Sequence, residues 1–279
     1  MKRFLIDSVG KLDIVVWGLV LLFFLGSALL FGGNFSLASL GALGIIVEML
    51  IIGLAVEVII ECLKNTKSIG TLTGFITNGP EAITLIVGLV AGDVIFAAST
   101  PLGSNFMNPV LLLVATLICA CLGMTLKTKT GYFIPSVIFT ATIAASFFFI
   151  PESLYVWWIA IAMAVSVPLF LLRPSESEEN AEDYSFNPGI WLPTAIALLT
   201  IAGYYLDRVV SFTATHSMAP KGVIGFFVLA TLTSWPEFKS CLALLKRNNY
   251  LGAILNIVVS NITNLWLAVV GIIVYLLAH

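Results

Sequence analysis

Two glutamates of this chain lie inside long apolar stretches, and each directly follows a proline. Glu81 belongs to residues 77–108, TNGPEAITLIVGLVAGDVIFAASTPLGSNFMN, and Glu237 belongs to residues 233–264, TSWPEFKSCLALLKRNNYLGAILNIVVSNITN. A carboxylate in apolar surroundings is costly unless it is paired or binds a cation. Both stretches are therefore candidates for a functional site.

The two stretches repeat one pattern at an offset of 237 − 81 = 156 residues. Each contains a threonine, a small polar residue, Pro-Glu and a later Ser-Asn-x-x-Asn. Six polar or proline positions are identical without a gap, which indicates an internal repeat. The polar members are Thr77, Asn78, Glu81, Ser104, Asn105 and Asn108, and then Thr233, Ser234, Glu237, Ser260, Asn261 and Asn264.

The side chains of the repeat suit a hard cation. Proline removes a backbone donor and frees a carbonyl, and the serine and last asparagine of each copy share a helix face because they are four residues apart. Two copies meeting at a pseudo-two-fold axis would gather two carboxylates, two amides and several hydroxyls. Such oxygen ligands favour Ca²⁺ or Na⁺ over Zn²⁺ or Cu. Alternatively, these polar residues hold helices together, and this alternative is strongest for Asn105 and Asn261.

Composition predicts an integral membrane protein. The residues are 59% hydrophobic and 10% charged, whereas a soluble domain has about 25% charged residues. The apolar runs have helix length, unlike the roughly 10-residue segments of a membrane barrel. A net charge of −2 gives no reason to expect a nucleic-acid partner. No nucleophile–base pair or phosphate loop is present, so neither an enzyme nor a cofactor is expected.

We expect an all-α polytopic membrane protein with about nine transmembrane helices and inverted-topology repeats. An additional membrane helix lies within residues 1–37, the repeat halves cover 38–173 and 189–279, and an acidic linker covers 174–188. The linker is expected to be solvated and flexible, and a calcium-sensing segment is the alternative. The nine segments are 12–32, 38–64, 71–92, 94–126, 131–150, 153–173, 189–215, 221–245 and 250–278.

Basic residues predict the orientation. With a cytoplasmic N-terminus, ten of the 13 lysine and arginine residues fall in inside loops, where positive charges concentrate. We expect an integral protein of the plasma (inner) membrane. Corresponding helices of the repeats are five segments apart, an odd number, so the copies are inverted. Inverted repeats with matching helix breakers are typical of transporters with a midplane site.

The two stretches resemble the α-repeats of the cation/Ca²⁺ exchanger superfamily, whose motif is similar to G-T-S-x-P-E followed by G-S-N-x-x-N/D. The resemblance extends from segment 38–64 to residue 279. It implies antiport of Ca²⁺ against Na⁺ or H⁺, with both glutamates binding Ca²⁺. The implied metal ligands are Glu81, Glu237, Asn108, Asn264, Ser104, Ser260, Thr77, Thr233, Asn78 and Ser234.

Several positions depart from the family pattern. The last motif position is asparagine in both repeats, whereas sodium/calcium exchangers usually resemble an Asn/Asp pair, so one potential charge is lost. Asn78 replaces serine, Val259 replaces glycine, and the bulky Trp235 lies beside the site. The family usually has ten helices, with two after the second motif region, whereas this chain has the additional helix at 12–32.

The leading functional hypothesis is a Ca²⁺/Na⁺ antiporter. A Ca²⁺/H⁺ exchanger and a non-transporting cation-binding or sensor protein on a degenerate exchanger scaffold are the alternatives. Lys239 lies two residues after Glu237 in the same apolar segment, so we expect it to form a structural ion pair, for which Glu48 is a candidate partner. The alternative is that the Lys239 charge modulates the cation site. Glu57 and Glu61 are expected to neutralise Lys64 or to reach water.

Overall fold

The structure, a computed structural model, describes residues 9–91, 94–176, 187–220, 228 and 231–278. These residues form helices and no strand. The helices are α1 (Lys11–Phe31), α2 (Phe35–Leu63), α3 (Ile69–Ile76), α4 (Gly79–Ala91), α5 (Val94–Ile118), α6 (Leu122–Lys127), α7 (Thr130–Phe147), α8 (Tyr155–Leu171), α9 (Pro188–His216), α10 (Trp235–Lys246) and α11 (Tyr250–Ala278).

Eight helical segments in the described part of the chain are long and apolar enough to cross a membrane. The all-helical polytopic class is therefore confirmed. The ninth predicted segment, 221–245, lies partly outside the described residues, and α10 is its described part. The predicted segment 94–126 is not one helix, because the chain turns between α5 and α6, where Ala120 has a φ of 52°.

The long helices α2 and α9, each of 29 residues, pack side by side in opposite directions. The Asn34 N–H donates to the His216 carbonyl at 2.8 Å, which joins the start of α2 to the end of α9. Gly41 permits close packing, since a Cβ there would lie 2.2 Å from Thr213 Oγ1. Ile52 and Leu199 are fully buried in the core that these helices share with α10 and α11.

Corresponding helices of the two repeats begin at the offset found in the sequence. The starts of α4 and α10 differ by 235 − 79 = 156 residues, and α5 and α11 contain the two Ser-Asn-x-x-Asn motifs at the same offset. Helices α7 and α8 pack against α11 through a second apolar cluster that contains Ile143, Trp158 and Leu265. The repeat is therefore present in helix boundaries as well as in residue identities.

Ion pairs gather at one end of the bundle, where α2 and α10 both end. Glu61 contacts Lys64 at 2.8 Å and Arg247 at 3.2 Å, and Glu57 lies 3.7 Å from Arg247. The expected neutralisation of Lys64 is thus confirmed for Glu61. This group of four residues is called the basic end below.

Two charged residues have partners that differ from the sequence-based expectation. Lys239 pairs with Asp13 of α1 at 2.9 Å, so the assignment of Glu48 as its partner is wrong. The Glu176 carboxylate is buried rather than solvated and accepts bonds from the N–H groups of Gly70 and Thr71 at 2.7 and 3.1 Å. Free N–H groups at the start of α3 favour a carboxylate there. Residues 177–186 of the acidic linker lie outside the described residues.

Helix α3 lies against α11 through glycines, which gives a stability prediction. Gly70→Ala is expected to lower the thermal unfolding temperature, because its Cβ would lie 2.2 Å from the Gly252 carbonyl oxygen and overpacking costs about 1–3 kcal/mol. Gly26→Ala is the control, since no atom lies within 4 Å of its Cβ. Thermal unfolding in detergent, followed by tryptophan fluorescence, measures both. An unchanged midpoint for Gly70→Ala would contradict this packing.

Candidate functional site

The first repeat has a two-residue break between α3 and α4, occupied by Thr77 and Asn78. Pro80 is the second residue of α4, where its missing N–H is harmless and its ring disfavours a regular helix through the preceding turn. The first backbone bond of α4 joins the Ala82 N–H to the Asn78 carbonyl at 3.1 Å. Glu81 consequently lies in the first turn of α4.

The second repeat has the same break. Residues 231–233 are helical, Ser234 forms a turn, and Pro236 is the second residue of α10. The Phe238 N–H donates to the Ser234 carbonyl at 3.2 Å, which is the Ala82–Asn78 bond displaced by 156 residues. Glu237 lies in the first turn of α10. Each repeat therefore places one carboxylate at a helix N-terminus, where negative charge is favoured.

Four asparagines join α5 to α11 with reciprocal bonds. Asn105 Nδ2 donates to the Asn261 carbonyl at 3.1 Å, and Asn261 Nδ2 donates to the Asn105 carbonyl at 3.4 Å. Asn108 Nδ2 donates to Asn261 Oδ1 at 2.9 Å, and Asn264 Nδ2 donates to Asn105 Oδ1 at 3.1 Å. All four side chains are fully buried. The bonds of this asparagine clasp are exchanged between equivalent positions of the two repeats, so Asn105 and Asn261 join α5 to α11, as the alternative interpretation described.

The clasp also orients the last asparagine of each repeat. Because the amide nitrogens of Asn108 and Asn264 donate within the clasp, their oxygens point away from it. Both oxygens are buried and make no hydrogen bond. The asparagines that the pattern predicted as ligands thus keep an acceptor available.

Seven buried side-chain oxygens in the described part of the chain have no hydrogen-bond partner, and all belong to predicted ligands. They are Thr77 Oγ1, Glu81 Oε2, Asn108 Oδ1, Ser234 Oγ, Glu237 Oε1, Glu237 Oε2 and Asn264 Oδ1. The Glu237 and Glu81 carboxylates interact electrostatically with each other. A buried acceptor left without a donor costs about 1–3 kcal/mol. Both repeats contribute to this set, which suits a cation.

Two predicted ligands have their oxygens engaged in bonds that hold the site together. Asn78 Nδ2 donates to the Gly74 and Ser260 carbonyls at 2.7 and 3.3 Å. Ser260 Oγ donates to Asn78 Oδ1 at 3.3 Å and accepts from Asn108 Nδ2 at 3.1 Å. The structure therefore places Asn78 and Ser260 as positioning residues. Ser104 and Thr233 are half-buried.

A second polar group, which the sequence pattern did not single out, lies one helical turn from the site. Asn256 Nδ2 donates to Thr73 Oγ1 at 3.1 Å, and Ser240 Oγ donates to Asn256 Oδ1 at 2.9 Å. Thr73 and Thr77 are four residues apart, as are Asn256 and Ser260, so each pair shares a helix face. The four-residue spacing from the motif residues was the sequence signal that could have identified Thr73 and Asn256. These bonds join α3, α10 and α11 on the basic side of the site.

Asp207 of α9 is a carboxylate that sequence reasoning missed. Gly203 packs directly on Pro80, since a Cβ at Gly203 would lie 2.3 Å from Pro80 Cγ. Asp207 lies one helical turn further on the same face, and its carboxylate interacts electrostatically with Glu81. The side chain is exposed. Ionisable residues within membrane-spanning helices commonly mark ion pathways, so Asp207 is a candidate for the approach to Glu81.

The ligand chemistry fits a transported hard ion better than a resident transition metal. No group of three or more His, Cys, Asp or Glu side chains that could hold a metal ion occurs among the described residues. The site instead combines two carboxylates with neutral oxygens, which is typical of Ca²⁺ and Na⁺ coordination.

No protein-family model, curated protein sequence or solved structure matches this chain. The fold and the site therefore define its class by themselves. It is a polytopic all-helical membrane protein with eight spanning segments in its described part. Its broken helices and buried polar centre are features of a transporter.

Proposed function

We propose that the protein is a secondary antiporter that moves Ca²⁺ across a membrane in exchange for Na⁺. The observation that carries this proposal is the set of seven unpartnered buried oxygens contributed by both repeats. Ca²⁺ takes six to eight oxygen ligands in flexible geometry. Glu81 and Glu237 supply a formal charge of −2, which matches one divalent ion.

The same charge explains why transport would be an exchange. Two buried carboxylates that interact with each other cannot both remain charged without a counter-ion. When Ca²⁺ leaves, two monovalent cations must replace it before the protein can expose the site to the other side of the membrane again. Na⁺ fits the oxygen ligands, which supports Ca²⁺/Na⁺ exchange.

Alternating access requires one part of the protein to move against the site. The antiparallel pair of α2 and α9 flanks the broken helices without supplying an unpartnered oxygen. We propose that this pair slides against α3, α4, α5, α10 and α11, and so opens the site to each side in turn. The basic end lies in the cytoplasm in this scheme, as the distribution of lysine and arginine suggests.

Two alternatives remain as competing outcomes, each with an observation in its favour. Ca²⁺/H⁺ exchange is favoured by the two asparagines at the last motif position, which leave only two acids for one divalent ion. A non-transporting cation-binding protein is favoured by Trp235, whose Nε1 is buried beside the site without a partner.

Flux into reconstituted vesicles tests the proposal. We expect an outward Na⁺ gradient to drive Ca²⁺ uptake and a pH gradient imposed without Na⁺ to drive none. Uptake driven only by the pH gradient would assign the proton mechanism. Ca²⁺ binding without flux under either gradient would assign the sensor. Absence of Ca²⁺ binding would contradict all three.

Asp207 gives a kinetic prediction within this scheme. Asp207→Asn is expected to raise the Ca²⁺ concentration for half-maximal uptake by about threefold to tenfold, because a carboxylate on the ion pathway to the site raises the local cation concentration. The maximal rate should change less, since the seven site oxygens remain. Glu152→Gln is the control, as it removes an exposed acid from the turn before α8. Equal Ca²⁺ dependence for the wild type and Asp207→Asn would contradict this role.

A further inference from the structure

Lys239 places a buried positive charge close to the candidate site. It follows Glu237 by two residues in α10, and its side chain is 5% exposed. A cation at this position opposes binding of another cation through a medium of low dielectric constant. The site therefore requires a feature that cancels this charge.

Asp13 of α1 provides the cancelling charge. Lys239 Nζ donates to both of its carboxylate oxygens, at 2.9 and 3.1 Å, and the Asp13 side chain is 9% exposed. The carboxylate also accepts from the Gly10 N–H at 2.8 Å, which fixes it at the start of α1. The pair is thus buried, bidentate and held in place by the helix that carries Asp13.

The lysine reaches α1 by crossing α2 at a glycine. A Cβ at Gly53 would lie 3.1 Å from Lys239 Cε and 3.5 Å from Nζ. The lysine stem therefore occupies space that a larger residue would fill. Glycine on α2, lysine on α10 and aspartate on α1 form one arrangement across three helices.

Electrostatics gives the size of the effect. Residues two apart on a helix point to nearly opposite sides, which puts the Lys239 ammonium about 10 Å from the Glu237 carboxylate. One unpaired charge at that distance, with an effective dielectric constant of about 20, weakens monovalent binding roughly tenfold and divalent binding roughly a hundredfold. The difference arises because the interaction doubles with the charge of the bound ion.

We propose that Asp13 is a specificity-determining residue of the cation site. It acts on the site indirectly, by neutralising Lys239. By neutralising the lysine, Asp13 preserves the preference of the site for a divalent ion. Helix α1 is therefore part of the transport unit rather than an attached helix. This inference rests on the proposed function, since it assumes cation binding by Glu81 and Glu237.

Equilibrium binding of ⁴⁵Ca²⁺ and ²²Na⁺ to the purified full chain tests the proposal. Asp13→Asn is expected to raise the Kd for Ca²⁺ roughly a hundredfold and the Kd for Na⁺ roughly tenfold. The double variant Asp13→Asn/Lys239→Met should return both constants to within about threefold of the wild type. Residues 13 and 239 then carry no net charge, as in the wild-type ion pair. Glu48→Gln is the matched control, and both constants should stay unchanged.

The outcomes separate this inference from the function on which it rests. No binding of either ion by the wild type would overturn both. Wild-type binding with an equal loss for both ions in Asp13→Asn, or no recovery in the double variant, would overturn the inference alone. If Asp13→Asn does not fold, the Ca²⁺/Na⁺ preference of Lys239→Met tests the inference instead. This variant leaves Asp13 unpaired and should shift the Ca²⁺/Na⁺ preference further toward Ca²⁺, and an unchanged preference would overturn the inference.

Discussion

Glu81→Gln and Glu237→Gln are each expected to reduce Na⁺-driven Ca²⁺ uptake into vesicles by about a hundredfold or more. Glutamine keeps the shape of the side chain but removes one of the two negative charges that balance a divalent ion. Glu237 contributes two of the seven unpartnered oxygens and Glu81 contributes one. Initial rates of ⁴⁵Ca²⁺ uptake, at equal amounts of reconstituted protein, measure the effect.

The control for this prediction is Glu57→Gln. Glu57 is also a half-buried acid in a spanning helix, but it lies 3.7 Å from Arg247 at the basic end and outside the candidate site. It should retain most of the wild-type rate. Unchanged uptake in either site variant would show that the paired glutamates do not bind the transported ion.

Asn261→Leu is expected to lower the free energy of unfolding by about 2–5 kcal/mol and to abolish uptake. The asparagine accepts from Asn108 and donates to the Asn105 carbonyl and to Thr140 Oγ1. Leucine has a similar volume but removes these three buried hydrogen bonds, each of which contributes about 0.5–1.5 kcal/mol, and places an apolar side chain among polar groups. Asn108 would also lose one of the two bonds that aim its oxygen away from the clasp. Thermal unfolding in detergent and vesicle uptake measure the two effects.

The matched control is Asn65→Leu, which makes the same change at an exposed position between α2 and α3. It should unfold at the wild-type temperature. A wild-type unfolding temperature for Asn261→Leu would mean that the asparagine clasp contributes no net stability. The joining of the two repeats would then depend on apolar packing alone.

Much of the architecture could be predicted because it depends on local sequence properties, namely proline positions and the length of apolar runs. Proline at positions 80 and 236 is favoured in the first turn of a helix, and apolar length defines spans without tertiary information. The offset of 156 residues, found from side-chain identities, recurs in the starts of α4 and α10. Six of the ten predicted ligands present an unpartnered buried oxygen.

The remaining features depend on contacts between distant segments. Lys239 pairs with Asp13 across 226 residues, and no sequence pattern favours Asp13 over Glu48 as its partner. Glu176 caps α3 across 106 residues, which a reading of the linker by composition does not show. The mutual bonds of Asn78 and Ser260 could not be predicted from the motif, because they join residues 182 positions apart.

The most direct test of the central claim is a crystal structure determined from protein soaked with Sr²⁺, a heavier substitute for Ca²⁺, with anomalous scattering locating the ion. We predict one strong peak between Glu81 and Glu237, within about 2.3–2.8 Å of carboxylate and amide oxygens from both repeats. A peak coordinated by only one repeat, or bound Sr²⁺ located elsewhere in the protein, would contradict the account.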